Sequence, residues 1–317
     1  MKRVFSSLIL ALGLLAVPAQ AADYPTKPIT LMTAFNAGGG SDVSHRLLEK
    51  FAKGVFDQPI VVTYKAGAGG EIGWTWLAGA KPDGYTIGGV DLPHIVLQPM
   101  LRPEGQPGYK TEQLSPLCGL VYDADVVMVP EAGPHKTFKD LIAYARANPG
   151  KVKVATVGRL TGDHLFLMQI EKLTGAKFTQ VPYSGSGKAI PALLSGEVDA
   201  YFGSGSSFLR MEKTRGLAVG SRERYELCPD VPTFIEQGYD IESGKYRGLA
   251  TPRNIPAEAR QYLETRFAEL CANPEYQKAV KSSGLTPFFQ TGKDFGETIR
   301  TQGKQAEKLL EASGLLK

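Results

Sequence analysis

The sequence predicts an α/β protein built as two similar lobes, on three observations. Short apolar, β-rich runs alternate with stretches of helical periodicity, the pattern of βαβ units around a parallel sheet. The alternation begins a second time near residue 126. Glycine is in excess, 36 of 317 residues or about 11% against ~7% in average usage. With no G-X-Y period, that excess belongs in loops, and several of those loops join a strand to a helix.

In the first lobe, Ile29-Phe35 is a strand that ends in Asn36-Ala37-Gly38-Gly39-Gly40. Ser41-Asp42 then opens a helix whose apolar face is Val43, Leu47, Leu48, Phe51 and Val55. Ile60-Tyr64 is the second strand, followed by Gly67-Ala68-Gly69-Gly70 and a helical stretch to Ala80. Lys81-Pro82-Asp83-Gly84 reads as a turn and Tyr85-Val90 as the third strand. The second lobe has strands at Val126-Val129, Val152-Thr156, Phe178-Val181, Val198-Phe202 and Gly216-Gly220. Its helices are Thr137-Ala147, capped by Thr137 and stopped by Asn148-Pro149-Gly150, then Leu165-Leu173 and Ala189-Leu194. Beyond Ser243 come a strand at Tyr246-Thr251 and three helical stretches, the last from about Gln302 to Leu310.

A strand, Gly loop and helix thus occur twice, at Phe35-Asp42 and at Thr156-His164. Helix N-termini offer unpaired N–H groups and about half a positive charge, so two such loops facing each other suit a carboxylate. Tight turning alone also accounts for a single glycine-rich βα loop.

Lys2-Arg3, the largely apolar run Val4-Val17 and Pro18-Ala19-Gln20-Ala21 have the form of a signal peptide with an A-x-A cleavage site. The run is shorter than the ~20 residues of a membrane span. Cleavage after Ala21 leaves 34 basic against 32 acidic residues, so the exported chain is nearly neutral. Of the three cysteines, Cys118, Cys228 and Cys271, at most one pair can form. The readings are a Cys228-Cys271 bridge or three separate buried thiols.

Several chemistries lack their motifs. Gly67-Ala68-Gly69 meets Ile72 where G-x-G-x-x-G needs glycine, and Ala189 follows Gly187-Lys188 where a P-loop needs Ser or Thr. His45, His94, His135 and His164 are widely spaced and form no zinc motif. No serine sits in G-x-S-x-G. Basic residues are scattered, which argues against nucleic acid. No cofactor and no metal are expected, and an exported two-lobed protein without a catalytic motif reads as a binding protein.

The stretch Tyr24-Pro25-Thr26-Lys27-Pro28-Ile29, then Phe35 and Ala37-Gly38-Gly39-Gly40-Ser41-Asp42, closely resembles the start of a mature Bug-family protein. These are periplasmic receptors of tripartite tricarboxylate transporters. Further matches follow in order: Gly67-Ala68-Gly69-Gly70 with Ile72-Gly73, Pro82-Asp83-Gly84-Tyr85-Thr86, Ala147-Asn148-Pro149-Gly150-Lys151, and Gly158, Thr161 and His164. Val181-Pro182-Tyr183 with Gly185-Ser186, and Pro229-Asp230-Val231-Pro232-Thr233, complete a set that spans the mature chain.

The resemblance implies a two-domain type II periplasmic-binding-protein fold, each domain a mainly parallel sheet flanked by helices, with the ligand cleft between them. Residues 22-123 and 245-317 would form domain 1 and 124-244 domain 2, with crossovers near Tyr122-Asp125 and Ile241-Lys245. The ligand would be a small organic acid, and the partner a two-component membrane permease with large and small subunits. A membrane sensor kinase reading the same closure is the alternative, and a hydrolase using the serine-rich loops a further one. A periplasmic monomer is expected.

Carried over by position, Ala37 to Ser41, and within it Gly39 and Gly40, would supply backbone donors to the carboxylate, flanked by Phe35 and Asn36. Asp42 is assigned to capping its own helix. On the other domain, Gly158, Thr161 and Gly162 match the second carboxylate loop. His164 is assigned to organising that loop, Tyr183 to the wall, and Gly203 and Ser204 to further donors. Several features depart from the family pattern or leave alternatives, among them Asn36, which stands where the family often has Ala. Arg159 either clamps a second carboxylate or answers to solvent. Of Trp74 and Trp76, at most one is expected to face the cleft, with Trp76 assigned to the core. Asp91 suits a ligand amine or caps the following turn. Gly203-Ser204-Gly205-Ser206-Ser207 lacks the usual Asp-Asn pair and suggests a roomier wall.

Overall fold

The computed structural model of the protein describes residues 24–102, 108–159, 161–312 and 314–316. The expected signal peptide, residues 1–21, lies outside the described residues.

The chain begins with β1 (Ile29–Thr33), α1 (Gly40–Phe51), β2 (Ile60–Tyr64), α2 (Glu71–Ala78), β3 (Thr86–Leu92) and α3 (His94–Met100). β1 lies between β2 and β3 and pairs with both in parallel, as βαβ connections require. Leu48 of α1 is fully buried against Leu31, Ile60 and Ile87, and Val43, Leu47 and Phe51 pack around it. The apolar stripe read from the sequence is therefore the face that covers the sheet, except that Val55 falls beyond the end of α1 and packs on the same core from the turn that follows.

β4 (Leu114–Pro130) follows, and its 17 residues are the structural spine. At ~3.3 Å per residue it runs about 55 Å, long enough to serve two sheets. Up to Ala124 it pairs antiparallel with β9 (Gly244–Pro252), and from Asp125 onward with strands of the second lobe. That lobe comprises α4 (Phe138–Ala147), β5 (Lys153–Val157), α5 (Gly162–Thr174), β6 (Thr179–Tyr183), α6 (Ser186–Leu194), β7 (Ala200–Ser204), the short α7 (Gly205–Phe208) and β8 (Thr214–Val219). After β9 the chain closes with α8 (Ala257–Ala272), α9 (Pro274–Ser282), β10 (Thr286–Thr291) and α10 (Gly292–Ala312).

The continuous strand order is β2-β1-β3-β9-β4-β7-β5-β6, with β8 and β10 also pairing β4. Among the described residues, four pairings are parallel and five antiparallel, so the mainly parallel sheets expected from the sequence are mixed. The βαβ units make the outer strands parallel; the long connections through β4, β9 and β10 make the centre antiparallel. Separate cores fill the lobes, around Leu31, Leu249 and Phe267 in one and Phe138, Phe166 and Phe202 in the other.

The cap read at Thr137 forms as a capping box. Its hydroxyl accepts from the Asp140 N–H at 3.1 Å, and the Asp140 carboxylate accepts from the Thr137 N–H at 2.9 Å. The cysteines settle as free, buried thiols, with Cys118 and Cys271 in one core and Cys228 in another. A Cys228-Cys271 bridge is therefore excluded by their separation into different cores. No helix among the described residues is long and apolar enough to cross a membrane.

Candidate functional site

The site begins where β1 ends. Past Thr33 the chain buries Phe35, turns through residues 36–39 and enters α1, whose N-cap Gly39 makes no side-chain capping bond. Asp42 turns back to accept from the Gly38 N–H at 2.7 Å and from the Tyr64 hydroxyl at 2.6 Å, which fixes the loop. Gly40 permits a close approach: a Cβ there would lie 2.8 Å from Arg247 Nη2 and 3.0 Å from Ser206 Oγ.

Arg247 comes from β9, two residues after Lys245, so both side chains leave the same face of the strand. Asp123 and Asp125 do the same on the neighbouring β4, where Asp123 is in register with Lys245. The result is two buried triads. Arg247 bridges Asp91 (Nε to Oδ1, 2.9 Å) and Asp123 (Nη1 to Oδ2, 2.6 Å), and its Nη2 donates to Ser204 Oγ at 3.1 Å. Lys245 bridges Asp125 and Asp163; its Nζ lies 2.8 Å from Asp163 Oδ1, an ion pair by charge and distance though not by hydrogen-bond alignment. All six residues are at most 3% exposed. Charges this deep persist only when paired.

Burial pushes the Asp91 carboxyl above the usual carboxylate range, with Arg247 and Ser41 pulling against it. Asp125 is raised for the same first reason, against the pull of Lys245. Burial would lower both cations, but Asp125 and Asp163 more than offset it for Lys245, as do Asp123 and Asp91 for Arg247, so both stay charged. His94 goes the other way: burial, Lys245 and Arg247 hold it well below its ordinary value, so it is a neutral imidazole.

These groups surround a cavity of about 30 Å³ lined from the first lobe by Phe35, Gly39–Ser41, Asp91, His94, Lys245 and Arg247. Val157, Gly185, Ser186 and Ser204 of the second lobe complete it. The space suffices for about one water molecule and is too small for an organic acid. Across it the lobes touch. Asn36 Nδ2 donates to Ser184 Oγ at 2.6 Å, and a Cβ on Gly187 would lie 2.5 Å from the Ala37 carbonyl oxygen. A larger groove of about 660 Å³, lined among others by Tyr122, Tyr246, Arg222 and Gln302, is open to solvent and holds none of the six buried charges.

The loop before α1 meets the start of α6, at Ser184–Gly187. The second glycine loop, before α5, reaches the same cavity through Val157 at its start. A Cβ on Gly158 would lie 3.2 Å from Gly69 Cα, and one on Gly162 2.9 Å from Pro93 Cδ and His94 Cε1. Thr161 is buried at the α5 N-cap, and the Arg159 carbonyl accepts from Gln98 Nε2 at 3.4 Å while its side chain is exposed. His164 is half-buried behind this loop, and burial, then Arg159, lowers its pKa. Tyr183 directs its hydroxyl to Glu197 at 2.7 Å, and Gly203 makes room for the Tyr201 ring. Ala37 is exposed.

The tryptophan assignment is reversed. Trp74 is fully buried, donates Nε1–H to the Gly89 carbonyl at 3.0 Å and backs the cavity wall through an edge contact with Phe35. Trp76 is the exposed one, under the Lys65 ammonium. Asp91 neither caps a turn nor stands free; it holds Arg247 and accepts from Ser41 Oγ at 2.8 Å.

Residues 45–315 match the family described as tripartite tricarboxylate transporter family receptor. The chain belongs to this receptor family. A protein in the gbd 5′ region of Cupriavidus necator is 30% identical over 97% of this chain and 94% of its own length. The periplasmic binding protein BugD superposes with a TM-score of 0.85 at 26% identity, over 92% of this chain and 99% of its own. Two Rhodopseudomonas palustris proteins share the fold. One, solved with adipate, has a TM-score of 0.87 at 24% identity over 92% of this chain and 99% of its own. The other, MatC with bound malate, has a TM-score of 0.85 at 23% identity over 90% and 100%. The family is one of solute-binding receptors, not enzymes.

In this receptor, the residues that sequence reasoning missed are Lys245, Arg247, Asp123, Asp125, Asp163, His94 and Ser186. A signal was present. Lys245 and Arg247 alternate in an otherwise apolar strand, as do Asp123 and Asp125, and like-faced charges inside a buried strand imply buried partners. Because the Arg159 side chain is exposed and outside the cavity lining, Arg159→Ala is expected to leave ligand affinity within about twofold. Isothermal calorimetry checks this; a tenfold loss would return Arg159 to the site.

Proposed function

We propose that this receptor captures a small organic acid in the periplasm by closing its lobes, then delivers it to a two-component membrane permease. The observation that carries the reading is a convergence on one small interlobe cavity. The uncapped N-terminus of α1, the Ser41 hydroxyl and the Arg247 guanidinium all reach it, with second-lobe residues opposite. Helix N–H groups with their partial positive charge, beside a guanidinium, are suited to a carboxylate. The malate and adipate held by structural neighbours support that ligand class.

The lobes would be residues 22–123 with 245–317, and 124–244. β4 changes pairing partner at Ala124–Asp125 and β9 begins at Gly244, so hinge motion would concentrate there. A cavity this small requires the lobes to part before an acid enters. Binding then draws the open population closed because donors from both lobes reach the ligand only in that state. Calorimetric titration of the protein purified without its first 21 residues, against mono-, di- and tricarboxylates, tests the reading. Saturable one-to-one binding of at least one acid is expected. Failure of every acid to bind would contradict it.

A further inference from the structure

The buried charges around the cavity do not balance. Four carboxylates, Asp91, Asp123, Asp125 and Asp163, face two cations, Lys245 and Arg247, so each triad carries one carboxylate in excess. An ionised acid drawn in beside them adds a further negative charge, where screening by salt and water is weak. Asp91 is where the excess meets the cavity. Asp123 is engaged by Arg247 and by the Ser206 N–H and Oγ, and Asp125 by Lys245 and Ser243 Oγ. Asp163 accepts from the Val157 N–H and faces Lys245, outside the cavity lining. At Asp91 both partners, Ser41 Oγ and Arg247 Nε, reach Oδ1, and none reaches Oδ2 among the described residues.

A second, independent feature concerns hydrogens rather than charge. His94 lines the same cavity, is 2% exposed, and its Nδ1 has no hydrogen-bond partner among the described residues. A neutral imidazole can accept at one ring nitrogen. A carboxylate ligand brings only acceptor oxygens to this wall, so nothing it carries gives Asp91 Oδ2 or His94 Nδ1 a hydrogen.

We propose that the receptor takes up one proton with each acid it captures, held on Asp91 Oδ2 and shared with the ligand carboxylate or His94 Nδ1. This rests on the carboxylate reading above and adds a second solute to it. The proton comes from solvent while the lobes are apart, adds to the Asp91 carboxylate, and returns to solvent when the lobes part again. No other bond changes. The added hydrogen turns a repelling oxygen into a donor and cancels the charge that the ligand carboxylate brings. Burial already pushes the Asp91 carboxyl upward, against the pull of Arg247, Ser41 and Lys245.

The other ionisable groups around Asp91 leave this role to it. Lys245 and Arg247 of β9 are already charged and paired. His45 of α1, packed over Gly89 on the same face of β3, is bonded to Thr33 Oγ1 at 2.7 Å, and burial lowers it to about 4. Asp42 of α1 is turned to Gly38 and Tyr64. The second-lobe lining, Val157, Gly185, Ser186 and Ser204, contains no ionisable side chain. The sign follows: Asp91 is ionised in the open receptor and protonated in the closed complex, so affinity falls as pH rises.

Calorimetry of malate, succinate, adipate and benzoate, all fully ionised from about pH 7 to about pH 8.5, tests this. Two buffers of different ionisation heat count the protons. For an acid that binds, uptake of at least about half a proton is expected at the lower pH, with affinity falling at least about fivefold across the range. Asp91→Asn carries a fixed amide hydrogen in place of the proton, and it leaves Arg247 paired with Asp123. It is expected to bind the same acid with no measurable uptake and less than about a twofold change across the range. Asp163→Asn, which relieves the other triad, is expected to keep the uptake. Binding without uptake in the native receptor overturns the inference and leaves the carboxylate reading standing. So does uptake that survives in Asp91→Asn, or a folded Asp91→Asn receptor that no longer binds the acid. Loss of uptake in both variants overturns it in favour of a general charge effect. Binding of no acid overturns both.

Discussion

Arg247→Ala is expected to destabilise the protein by about 3–5 kcal/mol, the cost of leaving buried charges without their counter-ion. The guanidinium holds Asp91, Asp123 and Ser204 with three different nitrogens, at 4% side-chain exposure. Its loss leaves two carboxylates beneath the first turn of α1 that accept, among the described residues, from Ser41 and Ser206. Arg247→Lys should recover little, because one ammonium cannot reproduce a planar fork shared among three partners. Urea denaturation measures the change. A loss under 1 kcal/mol would mean that the triad behaves as a solvated surface pair.

Trp74→Ala is the second large effect, about 3–5 kcal/mol for emptying a fully buried indole site. The indole fills the space beside Gly70, holds the Gly89 carbonyl and stacks edge-on with Phe35 and Tyr109. It stands one layer behind the cavity lining. Ligand affinity of the folded variant is therefore expected to fall by no more than about threefold, or ~0.7 kcal/mol. A variant of unchanged stability with a tenfold weaker ligand would instead place Trp74 against the ligand.

These two residues show where the sequence was readable. The α1 stripe, the Thr137 cap and the glycine loop at residues 36–40 follow local rules of period, capping and backbone freedom, and each formed at its expected place. Trp74 and Trp76 are two apart on α2 and so lie on different faces; Trp74 turns inward over the α2 N-cap Gly70 and donates to the Gly89 carbonyl of β3, a tertiary contact that the helical period alone does not supply. β4 was read only over Val126–Val129 because it is buried on both faces and Asp123 and Asp125 interrupt its apolar run. β10, carrying a proline, was not read as a strand at all, and α10 begins ten residues before its expected start. The charge triads depend on the register between β4 and β9, residues about 120 positions apart, which no window along the chain contains.

The central claim is that the carboxylate is held where α1 begins, against Arg247, between the lobes. A crystal structure of the receptor with the tightest acid from the titration panel tests it most directly. The expected result is a carboxylate within hydrogen-bond distance of the Gly40 or Ser41 N–H and of Arg247, with Gly185 or Ser186 closing over it. An acid seated instead in the open groove beside Tyr122 and Tyr246, with the Arg247 cavity unchanged, would contradict the account.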